Sequence, residues 1–217
     1  MRDHYEEQLE KLKEYVAEMG RLIETAIGDA LDALMHKDIE EAKNTINYDN
    51  QIDRMEREIE GLCLNLLLSQ QPVATDLRMV SAALKMITDM ERIGDHAADI
   101  SEITLMLAKT GYPSDLSRIQ KMADETMSMV KNSVEAYLKK DMQKASAVIR
   151  QDDIVDEYFR QVKKDVIRQI NENIQNGEQA TDVLMIVKYL ERIGDHATNI
   201  AEWVLFYLTG GHPDVTE

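Results

Sequence analysis

Four acidic pairs stand at i, i+4 spacing in the chain: Asp49 with Asp53, Glu91 with Asp95, Asp152 with Asp156, and Glu191 with Asp195. Residues four apart on a helix share a face, with Cβ atoms about 5–6 Å apart, so each pair presents two carboxylates side by side. Two carboxylates ~4 Å apart repel by roughly 4 kcal/mol at an effective dielectric of 20. Raised pKa values, arginines or a bound cation must answer that repulsion. All-oxygen ligation favours magnesium, manganese, calcium or iron, with zinc also admissible. Asp99, one turn beyond Asp95, extends the first set, whereas its counterpart is the neutral Asn199. The candidate metal-ligating residues are therefore Asp49, Asp53, Glu91, Asp95 and Asp99 in one set, and Asp152, Asp156, Glu191, Asp195 and Asn199 in the other.

Helical hairpins would bring the pairs together. If the segments on either side of Pro72 fold back antiparallel, Asp49 falls level with Asp95 and Asp53 with Glu91. A second hairpin turning between Asn173 and Ile174 sets Asp152 level with Asp195 and Asp156 with Glu191. This arithmetic sets height along the helices, not angle around them.

The apolar pattern supports such helices. Leu9, Leu12, Val16, Met19, Ile23, Ala26, Ala30 and Leu34 recur at gaps of three and four, the stripe of a bundle helix. Asp38 with Glu41 reads as a capping box, and Gln71-Pro72 as a break, because the residue before proline leaves the α region. Gly111-Tyr112-Pro113-Ser114 offers a C-terminal glycine, a proline and an N-cap serine. Lys140-Asp141, Asn176-Gly177 and Gly210-Gly211-His212-Pro213 mark the remaining ends. These boundaries predict an all-α chain of six helices in two groups of three: residues 1–110, residues 114–210, and a short tail at 211–217.

The two groups are copies. ERIGDHA at Glu91–Ala97 returns at Glu191–Ala197, and KDIEEAKNTINYDNQID from Lys37 aligns with KDMQKASAVIRQDDIVD from Lys140. An internal duplication follows, with one three-helix bundle per copy. Gly94 and Gly194 lie inside their helices, where glycine costs roughly 1 kcal/mol relative to alanine. Either a groove for a ligand beside the carboxylates or plain close packing of helices accounts for them. His96 and His196 are turned about 100° from Asp95 and Asp195 on a helix and read as hydrogen-bonding residues.

Composition excludes much else. A formal net charge of −16 repels phosphate backbones and anionic lipid, which argues against nucleic-acid partners. Three prolines, nine glycines and 5% aromatics do not suit a turn-rich β fold. The apolar run Leu62–Leu68 is broken by Asn65 and is far short of the ~20 residues of a membrane span. Cys63, the single cysteine, reads as a buried thiol in a reducing compartment, and the charged start MRDHYEEQLE lacks a signal-peptide core, so a cytoplasmic location is expected. No nucleophile–base arrangement and no phosphate-cradling glycine loop stands out. Residues 93 and 193 are both isoleucine, so the Glu-x-x-His motif of di-iron bundles is missing. A carboxylate-bridged metalloenzyme and a metal-free helical adaptor are the competing classes.

ERIGDHAADI, YLERIGDHATNIAE and QPVATDLRMVSAALKMITDM together resemble the PhoU family, regulators of bacterial phosphate uptake, over essentially the whole chain. The resemblance implies two three-helix bundles related by a pseudo-twofold axis, and clusters of iron, zinc or similar metals at the Glu/Asp-x-x-x-Asp pairs named above. It also implies a cytoplasmic, non-enzymatic adaptor that commonly dimerises. Such an adaptor links the ATPase subunit of the phosphate-specific ABC transporter to the phosphate-sensing histidine kinase, and represses the phosphate-starvation response when phosphate is plentiful.

Overall fold

The structure is a computed structural model that describes residues 2–68, 74–113 and 115–211. Three helices, α1 (Arg2–His36), α2 (Ile39–Leu68) and α3 (Ala74–Thr110), make the first bundle. The second is made by α4 (Ser117–Lys139), α5 (Met142–Glu172) and α6 (Gly177–Thr209), with a short 3-10 turn at Ile174–Asn176 before α6. No strand occurs among the described residues.

Local signals act where the residue types place them. The α1 stripe is interior: Leu12, Val16, Met19, Ile23, Ala30 and Leu34 are fully buried, and Leu9 packs at the edge of the same core. Each fully buried Leu, Ile or Met side chain contributes about 1.5–3 kcal/mol through lost contact with water. The Asp38 carboxylate accepts from the backbone N–H of Glu40 and Glu41, both at 3.0 Å, which satisfies two donors at the start of α2. Asp141 does the same for Lys144 at 2.9 Å in the second copy. Gly111 (φ 103°) and Gly210 (φ 80°) adopt the left-handed conformation that ends α3 and α6. Asn173 terminates α5, at the level expected for the second hairpin.

Ends at the bundle crossing and the tail are only partly described. α4 begins at Ser117, and the Asp115 carboxylate accepts from the Ser117 N–H at 2.9 Å. The Gln71-Pro72 break, the Ser114 cap and His212-Pro213 lie outside the described residues.

The bundles join through equivalent helices. α1 packs on α4 and α3 on α6, giving a central square in which α1 also touches α3 and α4 also touches α6. α2 lies against α1 and α3, and α5 against α4 and α6, on opposite sides of that square. Contact between equivalent elements of two copies is the mark of a twofold relation. The pairing of α3 and α6 is antiparallel: Arg78 reaches Tyr207, Asp89 reaches His196, and His96 lies against Tyr189.

Candidate carboxylate sites

Each α2–α3 or α5–α6 hairpin carries its acids on facing helix surfaces at one level. In the first copy Asp49 is half-buried, and burial is the largest reason its carboxyl is pushed up to about 6. The charges of Asp95, Asp53 and Asp99 add to that rise. Glu91 is raised too, first by burial and then by Asp95, with Glu56 and Asp53 contributing and Arg92 opposing. In the second copy Asp152 is also pushed up to about 6, by burial and then by Asp195, Asp156, Asp153 and Glu191. Asp195 is raised by burial and Glu191, against the pull of Lys188. The heights read from the hairpin arithmetic are therefore realised as electrostatic neighbourhoods, Asp99 included.

Several cations already touch these acids. Arg92 donates to Asp95 at 2.9 Å and lies 3.5 Å from Glu91, and Arg57 lies 3.8 Å from Asp53. Lys188 pairs with Glu191 in the second copy. Among the described residues Arg192, the counterpart of Arg92, has no such ion pair within 4.0 Å. No group of three or more His, Cys, Asp and Glu side chains among the described residues stands ready-made to hold an ion.

One atom marks the first set as unfinished. Asp49 Oδ1 is buried and has no hydrogen-bond partner. A buried carboxylate oxygen without a donor costs free energy unless it is protonated or meets a cation, so the donor chemistry of this set fits a hard metal ion. The two copies also differ in room. A Cβ on Gly94 would sit 2.7 Å from Ile52 Cδ1 and 2.8 Å from Asp49 Oδ1, whereas on Gly194 it would meet Asp152 and Val155 at an ordinary 3.5 Å. Gly94 thus serves the close approach of α2, and the glycine in the second copy is not required by any contact of that kind.

His96 and His196 act as hydrogen-bonding residues, in two different ways. His96 Nδ1 lies 3.2 Å from Asp99 on its own helix. His196 Nδ1 lies 2.8 Å from Asp89 across the bundle junction, and Asn199 donates to the same Asp89 oxygen at 3.0 Å. The structure therefore separates Asn199 from its set: its amide is engaged with α3 instead of with Asp152 or Asp195. Asp89 escaped the sequence reading because its partners lie in the other copy. Only the antiparallel level of α3 against α6 exposes it, and no local pattern encodes that pairing.

Comparison with known proteins follows the repeat. The PhoU domain matches twice, over residues 16–104 and 119–204. The chain is 35% identical over 214 residues to a phosphate-specific transport system accessory protein PhoU homolog of Clostridium acetobutylicum, covering 98% of each chain. A homolog of the same name from Borreliella burgdorferi is 34% identical, with 96% of each covered. The crystal structure of PhoU from Pseudomonas aeruginosa superimposes with a TM-score of 0.92 at 30% identity, over 95% of this chain and 100% of that one. That of the phosphate transport system regulatory protein PhoU from Streptococcus pneumoniae gives 0.89 at 29% identity, over 97% and 100%.

Proposed function

Since the chain belongs to the PhoU family, we propose that it is a cytoplasmic adaptor between the ATPase subunit of a phosphate-specific ABC transporter and a phosphate-sensing histidine kinase. In this role it represses the phosphate-starvation response when phosphate is plentiful and works as a homodimer. The observation that carries the reading is the match along both copies to accessory proteins of phosphate transport. The physical character of the surface agrees with docking instead of turnover. A rigid helical body of net charge −16 is drawn to basic protein surfaces. No helix of the described chain is long and apolar enough to cross a membrane.

Metal binding is the second part of the proposal. Asp49, Asp53, Glu91 and Asp95, with Asp99 beside them, would hold an ion in the first copy; Asp152, Asp156, Glu191 and Asp195 would do so in the second. Iron, zinc, manganese and magnesium are the candidates. Such an ion would supply positive charge that relieves the crowded carboxylates and alters the field presented to a partner. The chain's own side chains do the rest: Asp49 offers an oxygen with no other partner, and Arg92, Arg57 and Lys188 hold the flanking acids in place.

The same ion pairs favour a second reading, in which arginine, lysine and protons neutralise the acids and no metal is used. Elemental analysis of protein purified without chelator separates the two. A pull-down of the transporter ATPase and the kinase, with and without phosphate, tests the adaptor role: phosphate-dependent capture of both is expected. Capture of neither partner under either condition would reject it.

A further inference from the structure

His96 and His196 occupy the same position in the two copies, and the antiparallel α3–α6 seam brings them together, with ring centres 5.6 Å apart and planes tilted by 31°. Each ring spends Nδ1 on a carboxylate of α3. For His96 the partner is Asp99, at 3.2 Å, and for His196 it is Asp89, at 2.8 Å. An ionised carboxylate only accepts, so Nδ1 carries the proton and Nε2 keeps its lone pair. Among the described residues Nε2 of neither ring makes a hydrogen bond. A histidine oriented through Nδ1 by a carboxylate is the arrangement in which imidazole binds a metal through its other nitrogen. Here it occurs twice, side by side. The separation of the rings also suits a shared ion. Two imidazoles bound to one zinc at about 2.0–2.1 Å have ring centres about 5.2–5.5 Å apart, for bond angles between tetrahedral and trigonal.

We infer that His96 and His196 form a metal site of a second kind, in which Nε2 of each ring holds one zinc or copper(II) ion between the bundles and water completes its shell. Two side chains are one fewer than a catalytic zinc centre uses, so the site is open and its remaining positions exchange. Imidazole suits zinc, copper and nickel, whereas the all-oxygen carboxylate sets suit harder ions, so the two kinds of site differ in the ion they take. Charge around the rings favours a cation: Asp89, Asp99 and Glu102 outnumber Arg192. The His96 side chain is 11% exposed and that of His196 22%, so both rings are held in place. Arg192 and Asn199 beside them are exposed, and α2 and α5 do not meet across the seam, which leaves a path for the ion. Each half contributes one histidine, so neither half has the site alone, and a bound ion cross-links α3 to α6. The inference stands apart from the adaptor reading and from metal at the carboxylate sets.

The test uses the full chain, stripped with chelator and then given excess magnesium to occupy the oxygen sites, and copper(II) at no more than one ion per chain. Electron paramagnetic resonance counts the imidazole nitrogens on the copper through their superhyperfine splitting. The parent protein is expected to show two, and His96→Gln and His196→Gln one each, with affinity lowered about tenfold or more. Asp89→Ala, which frees the His196 ring, should keep both nitrogens and weaken binding by about 10–100-fold. The other three histidines of the chain are His4, His36 and His212. Their combined replacement by glutamine should leave the two-nitrogen signal as it was. Zinc should raise the melting temperature of the parent and not that of His196→Gln. Circular dichroism accompanies every variant, and if the single variants fail to fold, the parent signal and the triple variant still decide. A parent signal without two nitrogens would overturn the site, as would its persistence in folded His196→Gln or its loss in the triple variant. Unchanged affinity in folded Asp89→Ala would reject the orienting role on which the assignment of Nε2 rests.

Discussion

At the scale of single residues, the raised carboxyls make the stability of this protein rise on mild acidification. Asp49 and Asp152 move from 3.8 to about 6 on folding, so between about pH 4 and pH 6 the folded chain binds protons that the unfolded chain releases. Stability then falls as pH rises through that window and is highest below it, by about 1–2 kcal/mol per group once solvent screening of these partly exposed acids is discounted. Thermal unfolding in chelator from pH 4.5 to 7.5 should show this slope, and Asp49→Asn should lessen it, leaving the Asp152 share, and raise the melting temperature near neutral pH. A bound cation would displace the same protons, so the slope should weaken when metal is supplied. Glu135 works in the opposite sense: hydrogen bonds from Lys139 and Lys144 hold it down to about 2, so its contribution is full at neutral pH and is lost progressively as pH falls from about 4.5 to about 2.

Glycine substitutions separate the two copies at the same scale. In Gly94→Ala the new methyl group meets Ile52, which is fully buried, and the Asp49 carboxylate. Overpacking of about 1–3 kcal/mol should outweigh the helix-propensity gain of about 1 kcal/mol. Gly194→Ala has room and should stabilise by up to about 1 kcal/mol. Denaturant titrations of the two variants are expected to shift their midpoints in opposite directions.

At the scale of elements, the caps are modular. Asp38→Ala and Asp141→Ala each remove the carboxylate that satisfies the first turn of α2 or α5, and each should cost about 1 kcal/mol. The caps belong to different bundles, so the double variant should be additive within about 0.5 kcal/mol. The Asp38 cap, the boundary at Lys140-Asp141, the α1 stripe, the start of α6 at Asn176-Gly177 and the helix ends at Gly111 and Gly210 were legible in the sequence because each is decided by residues a few positions apart. The levels of the acidic pairs were legible too, since a short antiparallel hairpin leaves one register. The fate of Asn199 and the role of Asp89 were not. They depend on how α3 of one copy lies on α6 of the other, a contact made by residues more than a hundred positions apart. Tyr189 likewise breaks the repeat in a way that means nothing until the seam is seen.

At the scale of the whole molecule, charge sets the terms of encounter. Association of this acidic body with a basic partner should slow steeply as salt is raised while the dissociation rate changes little, a pattern that stopped-flow mixing resolves. If the carboxylate sets hold metal, Asp95→Ala combined with Asp195→Ala should lower bound metal in elemental analysis. The stabilisation conferred by saturating metal, about 2.7 kcal/mol at one hundred times the dissociation constant, should be lost with it. Partner affinity that stays the same in that metal-free variant would remove any tuning role for the ion.

The central square of α1, α3, α6 and α4 has one more consequence. Each half covers apolar flank that the other half would otherwise leave wet, and the crossing at Gly111 keeps them permanently within reach. A lone half would have to meet a second copy by diffusion, and its survival would depend on concentration. Tethered in one polypeptide, the union is a first-order event that dilution cannot undo, so the shape does not depend on how many copies are present.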